Sequence, residues 1–324
     1  MSLPEPAGEH VRDPVVSLGD VRRTYGSVVA VDALSLTVSR GEMFGIIGPD
    51  GAGKTTTLRL IAGLVAPTGG SIEVAGLDPV ASHRELTGRV GYLSQRFSLY
   101  GDLTIDENVA FVAAIHGLRR YESERDRLLE LTDLAPFRAR LADRLSGGMR
   151  QKLALVCTLI HRPALILLDE PTTGVDPVSR REFWRLLSAL LDDELTIVMA
   201  TPYLDEAERC TRVALLHEGR LLAVDDPNRL RDAVEGTSLE VVAADAGAVM
   251  AALADWKDVR DAQLFGDRAH VRLANRSGQA AIDALRGRLG GEGLDVQNVR
   301  IVRPSLEDVF IERIHHASSQ DHVA

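Results

Sequence analysis

One short segment of this sequence has the composition of a phosphate-binding loop. Residues 48–55 read Gly-Pro-Asp-Gly-Ala-Gly-Lys-Thr and fit the pattern G-x-x-x-x-G-K followed by Ser or Thr. The glycines let backbone N–H groups turn toward phosphate oxygens, and a helix that starts after them adds a favourable field. In this pattern Lys54 reaches the β- and γ-phosphates and the Thr55 hydroxyl binds Mg²⁺. The segment therefore predicts a site for Mg-ATP.

Lysine is rare in this chain, which makes a chance match to the pattern harder to obtain. The only lysines are Lys54, Lys152 and Lys257. A glycine-rich connector without a ligand is the alternative interpretation of the loop. We expect ATP to contact the loop and the start of the following helix, namely Gly48, Pro49, Asp50, Gly51, Ala52, Gly53, Lys54, Thr55 and Thr56.

Two carboxylates follow a second apolar segment, residues 165–168. Asp169 and Glu170 stand where that segment would leave a parallel sheet, and ligands of open α/β sheets bind at this edge. We expect Asp169 to hold Mg²⁺ as a residue of the metal's outer coordination sphere, and we expect Glu170 to polarise the attacking water. An apolar run that ends in Asp-Glu is weak evidence alone, but together with the phosphate loop it indicates an ATPase.

The elements that position these residues follow the pattern of an α/β domain. Buried strands are expected at 43–47, 165–168 and 196–200, with helical spacing between them, which is the strand–helix–strand order of a parallel sheet. Alternating strands on the N-terminal side favour an additional antiparallel β subdomain. Helical patterns from about 95 to 160 interrupt the strands, and we interpret them as a helical insertion into a P-loop NTPase core.

The pattern changes beyond residue 225. Strands and helices follow in the order β-α-β-β-α-β, which predicts a small α+β domain of the ferredoxin-like type. We therefore expect a flexible tail at 1–13, a nucleotide-binding domain at 14–232, a C-terminal accessory domain at 237–316 and a second flexible tail at 317–324.

Composition excludes several classes of protein. The formal net charge of −10 argues against nucleic-acid binding through a broad phosphate-reading surface. No segment approaches the roughly 18 apolar residues that span a bilayer, and the first residues lack the apolar stretch of a secretory signal. Cys157 and Cys210 lie far apart without metal-ligand spacing, so we expect buried thiols in a reducing compartment. These features predict a cytoplasmic protein.

A third motif identifies a family resemblance. The segment 145–152 reads Leu-Ser-Gly-Gly-Met-Arg-Gln-Lys and begins a helix just before the carboxylate strand. With the phosphate loop and 167–171, it resembles the nucleotide-binding domain of ATP-binding cassette (ABC) proteins over roughly 15–230. The segment 304–310 looks like the C-terminal extension of ABC exporters of drugs and antibiotics. The resemblance implies an ATP-hydrolysing subunit that drives an integral-membrane permease from the inner face of the cell membrane.

The resemblance also implies roles for further residues. Gln95 corresponds to the glutamine that contacts Mg²⁺, Asp176 lies in the D-loop and Tyr25 is the aromatic that stacks on adenine. Two such domains would sandwich two ATP molecules, as a homodimer or a heterodimer. The signature residues of one domain would meet the γ-phosphate held by the other, and these are Ser146, Gly147 and Gly148. The alternatives are a polar strand-end residue at 95, a core tyrosine at 25 and an ordinary capped helix at 146.

The chain departs from the family pattern at one position. A switch histidine follows the strand that here ends in Thr201, and Pro202 occupies its place. Proline has no side-chain donor and no backbone N–H, so it can neither bind the γ-phosphate nor orient the water and Glu170. Either this ATP site is weak or silent and the chain completes a site on a histidine-bearing partner, or the site turns over slowly with a donor from Thr201 or Tyr203. A regulatory or non-transport ABC-type ATPase is a further alternative.

The same resemblance predicts where the permease docks. A coupling helix of the membrane protein is expected in the groove between the helical insertion and the sheet domain. Gln95 lies at this junction, and the segment 96–102, with Phe97 and Tyr100, is expected to form part of the contact surface.

Overall fold

A computed structural model describes residues 14–95, 99–191, 195–274 and 276–321, and the chain divides into two compact units after Pro227. The described strands of the first unit are β1 (Pro14–Tyr25), β2 (Val28–Ser39), β3 (Met43–Ile47), β4 (Gly69–Val74), β5 (Val90–Leu93), β6 (Leu165–Asp169), β7 (Thr196–Thr201), β8 (Arg212–His217) and β9 (Arg220–Asp225). Its described helices are α1 (Lys54–Ile61), α2 (His83–Leu86), α3 (Ile105–Ile115), α4 (Glu122–Leu131), α5 (Gly147–Leu159), α6 (Pro177–Leu191) and α7 (Leu204–Ala207).

The central sheet has the strand order β5-β6-β7-β3-β8-β9, and all neighbours are parallel except β8 and β9. Every residue of β3 and β6 is buried, as expected for strands that are covered on both faces. In the parallel register Ile47 pairs with Thr201, and Asp169 pairs with Ala200. The carboxyl ends of β3, β6 and β7 therefore lie side by side at one edge of the sheet.

A smaller antiparallel sheet, β2-β1-β4, shares its hydrophobic core with the central sheet. Val16, Leu34 and Val74 of the small sheet and Phe44 and Leu167 of the large one belong to a single buried cluster. Helices α3 to α5 form the insertion between β5 and β6, and α3 packs against α5. The predicted P-loop core, antiparallel β subdomain and helical insertion are thus confirmed.

Four elements of this unit were not predicted from the sequence. Strands β8 and β9 complete the far side of the central sheet, and α2 and α7 are single helical turns. The core of β8 is a run of four buried residues, a signal that was available, whereas a four-residue helix carries too little periodicity to detect. Both cysteines are buried as expected, and burial raises the pKa of each thiol to about 12.

The second unit has the predicted ferredoxin-like order. Its elements are α8 (Pro227–Asp232), which begins at the division, β10 (Thr237–Ala243), α9 (Ala246–Leu253), β11 (Val259–Phe265), β12 (Arg268–Leu273), α10 (Gly278–Gly291), β13 (Val296–Ile301) and α11 (Leu306–Asp321). The antiparallel sheet order is β11-β12-β10-β13. Helix α11 continues past 316, where the accessory domain was expected to end. Within the described ranges, no helix of either unit is long and apolar enough to cross a membrane.

Glu240 is a buried carboxylate at the centre of this second sheet. Strand β10 lies between β12 and β13, and each neighbour supplies an arginine. Arg300 donates through Nε at 2.7 Å and Arg268 through Nη1 at 3.2 Å. The hydrogen bond from Arg300, followed by that from Arg268, lowers the pKa of Glu240 from its ordinary 4.5 to about 2. The charged form of Glu240 therefore stabilises the folded state.

We expect Glu240→Gln to lower the free energy of unfolding of this unit by about 1–3 kcal/mol at pH 7. Because the folded pKa is depressed, this stabilisation is present above pH 4.5 and is lost as the pH falls toward 2. Urea unfolding followed by Trp256 fluorescence in a Trp184→Phe background reports on this unit. Glu292→Gln, at an exposed pair with Arg288, is the control. A difference between Glu240→Gln and wild type that does not shrink on acidification would contradict this account.

Candidate functional site

The segment between β3 and α1 adopts a conformation that requires glycine. Gly53 has φ of +100°, in the left-handed region that other residues rarely adopt. A β-carbon on Gly53 would lie 2.5 Å from the carbonyl oxygen of Ala30 in β2, and one on Gly48 would clash with the carbonyl oxygen of Leu216 in β8. The backbone of the loop is therefore held between β2 and β8, and substitution at either glycine would displace it.

Helix α1 begins without a cap. Gly53 supplies no side-chain hydrogen bond, and the first turn contains no acidic residue. Thr57 donates its N–H to the carbonyl of Gly53, whereas the N–H groups of the three residues before it have no partner in the helix ladder. Those residues are Lys54, Thr55 and Thr56. An uncapped helix end with free N–H groups and a lysine fits a phosphate group.

The loop 48–53 and the uncapped start of α1 together form a phosphate cradle, and Lys54 lies on its buried side. Its ammonium group is buried and donates to the carbonyl oxygens of Gly48 and Pro49, each at 2.9 Å. Burial lowers the pKa of Lys54, while the nearby charges of Glu170, Asp50 and Asp169 act in the opposite direction. Its distance to Glu170 Oε1 is 3.9 Å. The lysine is thus fixed over the loop, next to the end of β6.

Asp169 connects the end of β6 to the start of α1. Its Oδ1 accepts from the Thr55 hydroxyl at 2.8 Å, and its Oδ2 accepts from the Tyr92 hydroxyl at 3.1 Å. Burial and the charge of Asp169 raise the pKa of Tyr92 to about 12, so the phenol stays protonated and remains a donor. A hydroxyl and a buried carboxylate at this distance are the oxygen ligands that Mg²⁺ uses in proteins. Tyr92 was not predicted, since its position follows from the pairing of β5 with β6.

Glu170 lies beside the cradle in a strained backbone conformation. Its φ of +49° is uncommon for a residue other than glycine, and such strain concentrates at functional sites. Gln95 donates to its Oε2 at 2.9 Å, and the Thr173 hydroxyl donates to the same oxygen at 3.3 Å. Gln95 therefore contacts the carboxylate that the sequence predicts to polarise the attacking water. The structure brings together Lys54, Thr55, Gln95, Asp169 and Glu170.

The hydrogen bonds given for the side chains of Ser146 and Asp176 in the described residues are local to α5 and α6. Ser146 accepts from the N–H of Met149 at 3.3 Å and caps α5. Asp176 accepts from the N–H groups at the start of α6, which lowers its pKa. A β-carbon on Gly148 would meet the Ser179 hydroxyl, whereas one on Gly147 would face open space. Gly148 is thus required for the packing of α5 on α6.

Tyr25 ends β1 with its side chain 41% exposed, so it is not a core tyrosine. The guanidinium carbon of Arg23 lies 4.5 Å from the centroid of its ring. One face of the tyrosine is therefore covered by the protein itself.

Pro202 follows β7 and stands between Thr201 and Tyr203, which are hydrogen-bonded to each other. The buried Thr201 hydroxyl donates to Glu206 Oε2 at 2.6 Å and accepts from the N–H of Tyr203 at 3.1 Å. Glu206 is itself buried and also accepts from the Thr172 hydroxyl and from Arg180 Nε. The proton of the Thr201 hydroxyl therefore satisfies a buried carboxylate in this structure.

The fold and the cluster at the carboxyl edge define a P-loop nucleotide-binding domain. Residues 31–173 match the family described as "ABC transporter", and residues 226–314 match "ATP-binding protein DrrA1-3-like, C-terminal domain". The chain belongs to the ATP-binding proteins of ABC transporters and carries a C-terminal domain of the DrrA type.

Three relatives illustrate this membership. The probable multidrug ABC transporter ATP-binding protein YbhF of Escherichia coli is 37% identical over 96% of this chain and 54% of its own length. The daunorubicin resistance ATP-binding protein DrrA2 of Streptomyces coeruleorubidus is 35% identical over 91% of this chain and 94% of that protein. The bacitracin transport ATP-binding protein BcrA of Bacillus licheniformis is 32% identical over 93% of this chain and 97% of that protein. The chain spans about half the length of YbhF and most of the other two.

Solved structures agree with the assignment for the first unit. An ATP-binding subunit of an ABC transporter superposes with a TM-score of 0.62 at 29% identity, over 67% of this chain and 92% of that one. A dimeric ATP-binding cassette in a post-hydrolysis state, bound to ADP and Pi, gives a TM-score of 0.60 at 29% identity, over 65% of this chain and 98% of that one.

The contacts of Thr201 predict a structural role for its hydroxyl. Thr201→Val would leave Glu206 buried with one donor fewer, and we expect it to lower the free energy of unfolding by about 1–3 kcal/mol. Thr201→Ser keeps the hydroxyl and should retain most of the stability. Urea unfolding followed by Trp184 fluorescence in a Trp256→Phe background measures this in the first unit. A Thr201→Val protein of unchanged stability that hydrolyses ATP more slowly would show instead that the hydroxyl serves the nucleotide.

Proposed function

We propose that this chain binds and hydrolyses ATP to drive a separate membrane permease in the export of drug-like compounds. The observation that carries the proposal is the convergence of Lys54, Thr55, Asp169, Glu170 and Gln95 at one edge of the central sheet. Relatives named for daunorubicin resistance and bacitracin transport support export of such compounds. The chain would act at the inner face of the cell membrane, with ATP and Mg²⁺ as its ligands.

Each residue of the cluster has a distinct task in this proposal. The free N–H groups at the start of α1 and the ammonium of Lys54 hold the β- and γ-phosphates. Thr55, Asp169 and Gln95 hold Mg²⁺, which supplies charge neutralisation at the phosphates when bound. Glu170 orients and polarises the attacking water, and its hydrogen bond from Gln95 fixes the carboxylate. The exposed ring of Tyr25 stacks on the adenine.

Pro202 limits the chemistry of this site. A family member with histidine there would supply one hydrogen bond to the γ-phosphate, and loss of one well-placed donor costs about 2.7–4 kcal/mol in the transition state. With the Thr201 hydroxyl bound to Glu206, that position supplies no replacement. We infer that the chain's own site is slow or silent. Because Glu170 is retained, residual turnover is the remaining alternative.

The proline at 202 also favours an asymmetric pair of nucleotide-binding domains. In such a pair Ser146, Gly147, Gly148 and Asp176 of this chain would complete an active site on a histidine-bearing partner. Gly147 at the start of α5 faces open space, which suits an approach by a second chain. The match to about half of YbhF leaves room on that relative for a second unit of this size. The C-terminal unit would stabilise the dimer.

One prediction of this proposal concerns the ATP site of the purified chain. We expect Pro202→His to raise the steady-state ATPase rate by a factor of about 100 to 1,000, since it restores one transition-state donor. Adding Glu170→Gln to this variant should abolish the gain. Glu73→Gln, which alters an exposed carboxylate of β4, is the matched control.

Each other outcome points to a different function. Rapid hydrolysis by wild type with no gain from Pro202→His would make the chain a self-sufficient motor and would contradict the asymmetric pair. A chain that binds ATP but stays silent in both forms would favour the second candidate function, a regulatory ATP-sensing subunit, which the proline at 202 also supports.

An exposed apolar strip lies on the helical insertion. Tyr100 is 49% exposed and Ile115 is 66% exposed, and between them Phe111 packs edge-on against the Tyr100 ring at 4.6 Å. A cavity of about 270 Å³ lies among α3, α5 and β5 and is lined by Val112 and His116 among others. We propose that a coupling helix of the permease docks here, as the segment 96–102 suggested. Phe97 itself lies outside the described residues.

The second prediction tests this surface. We expect Tyr100→Ala and Phe111→Ala each to weaken binding to the permease by about 1–2 kcal/mol, since buried aromatic anchors dominate such interfaces. ATP hydrolysis by the chain alone should not change. Titration of the chain onto the permease in proteoliposomes measures the affinity, with Val80→Ala as a control at an apolar residue of similar exposure. Unchanged affinity in both aromatic variants would reject the docking surface.

A further inference from the structure

Arg23 covers one face of the Tyr25 ring. The two residues stand two apart near the end of β1. The guanidinium carbon lies 4.5 Å from the ring centroid, within the range of a cation–π contact. A guanidinium is planar and stacks on aromatic faces, which an ammonium cannot do. One face of the tyrosine is therefore occupied and the other is available.

The guanidinium is anchored by the chain that leaves the phosphate-loop helix. Arg23 Nη1 donates to the carbonyl oxygen of Ala66 at 2.8 Å, and Ala66 lies between α1 and β4. Its Nε is buried and has no hydrogen-bond partner among the described residues. Thr68 fixes the same connection to β1, because its N–H donates to the carbonyl oxygen of Arg22 at 2.7 Å. The orientation of Arg23 is thus set by the α1–β4 connection.

The hairpin that carries Tyr25 also contacts the beginning of α1. The carbonyl oxygen of Ala30 in β2 lies 2.5 Å from the position that a β-carbon on Gly53 would take. Asp32 donates its N–H to the carbonyl of Gly219, and Gly219 donates to the carbonyl of Ala52 in the loop. Contacts at both ends of α1 therefore fix the β1–β2 hairpin relative to the phosphate cradle.

We propose that Arg23 is a positioning residue for the base of the nucleotide. It holds the Tyr25 ring rigid, so that the free face of the ring stacks on adenine. Helix α1 sets the distance between this ring and the phosphate cradle. The inference rests on the proposed ATP site. Without Arg23 the exposed ring would be free to rotate. The entropic cost of ordering it would then weaken nucleotide binding.

The expected effect is selective for the base. Arg23→Met keeps the side-chain stem but removes the guanidinium, and we expect it to weaken ATP binding by about two- to fivefold, the scale of one exposed cation–π contact. The loss should depend on Tyr25. In a Tyr25→Ala background, Arg23→Met should therefore have no further effect on affinity.

Isothermal titration of the full chain with Mg-ATP tests this in four proteins: wild type, Arg23→Met, Tyr25→Ala and the double variant. Arg22→Met is the matched control, since Arg22 is a neighbouring arginine whose exposed side chain pairs with Asp32. The proposal is supported if Arg23→Met weakens binding only when Tyr25 is present. Thermal unfolding of each variant shows whether the fold is intact.

Three results would overturn the proposal. Equal losses from Arg23→Met with and without Tyr25 would show that Arg23 acts through the fold rather than through the ring. Tighter binding by Arg23→Met would show that Arg23 occupies the face that adenine needs. Absence of ATP binding by wild type would remove the proposed ATP site itself, and the inference with it, which distinguishes that failure from the first two.

Discussion

An α-helix that begins without a cap leaves backbone N–H groups that require an acceptor, and this constraint governs the site. Helix α1 starts after a glycine in the left-handed region, with no capping side chain and no acidic residue in its first turn. The surrounding structure preserves this arrangement. Lys54 is buried beneath the loop. Strand β2 packs so closely against Gly53, and β8 against Gly48, that a side chain at either glycine would displace the backbone. An anion such as a triphosphate satisfies the N–H groups.

The parallel sheet determines what surrounds that helix end. Strands β3, β6 and β7 end side by side, so the phosphate loop, the Asp169–Glu170 pair and the Thr201–Pro202 segment meet at one edge. The hydrogen bond from Thr55 to Asp169 joins the first two of these segments directly. In the third segment Pro202 has no hydrogen-bond donor, and the Thr201 hydroxyl donates to Glu206. The phosphate loop, the Asp169–Glu170 pair and the Thr201–Pro202 segment therefore share one edge of the sheet.

Sequence patterns predicted the parts of this site whose geometry is local. The loop at 48–55 and the carboxylates that follow a buried strand are fixed by the backbone conformation around them, so residue types at fixed spacing were sufficient. Gln95 came from family resemblance, and the structure places it against Glu170. Tyr92 and Arg23 were not predicted, because their roles depend on contacts between segments distant in the chain.

The proposed binding of Mg-ATP through Lys54 at the start of α1 can be measured at equilibrium with the purified chain. Isothermal titration of wild type with ATP, with and without Mg²⁺, should be compared with titration of Lys54→Met. The account predicts saturable binding by wild type that is tighter with Mg²⁺, and a loss of at least about tenfold in Lys54→Met, on the scale of a hydrogen-bonded charge. Equal affinity of the two proteins for Mg-ATP would contradict the account.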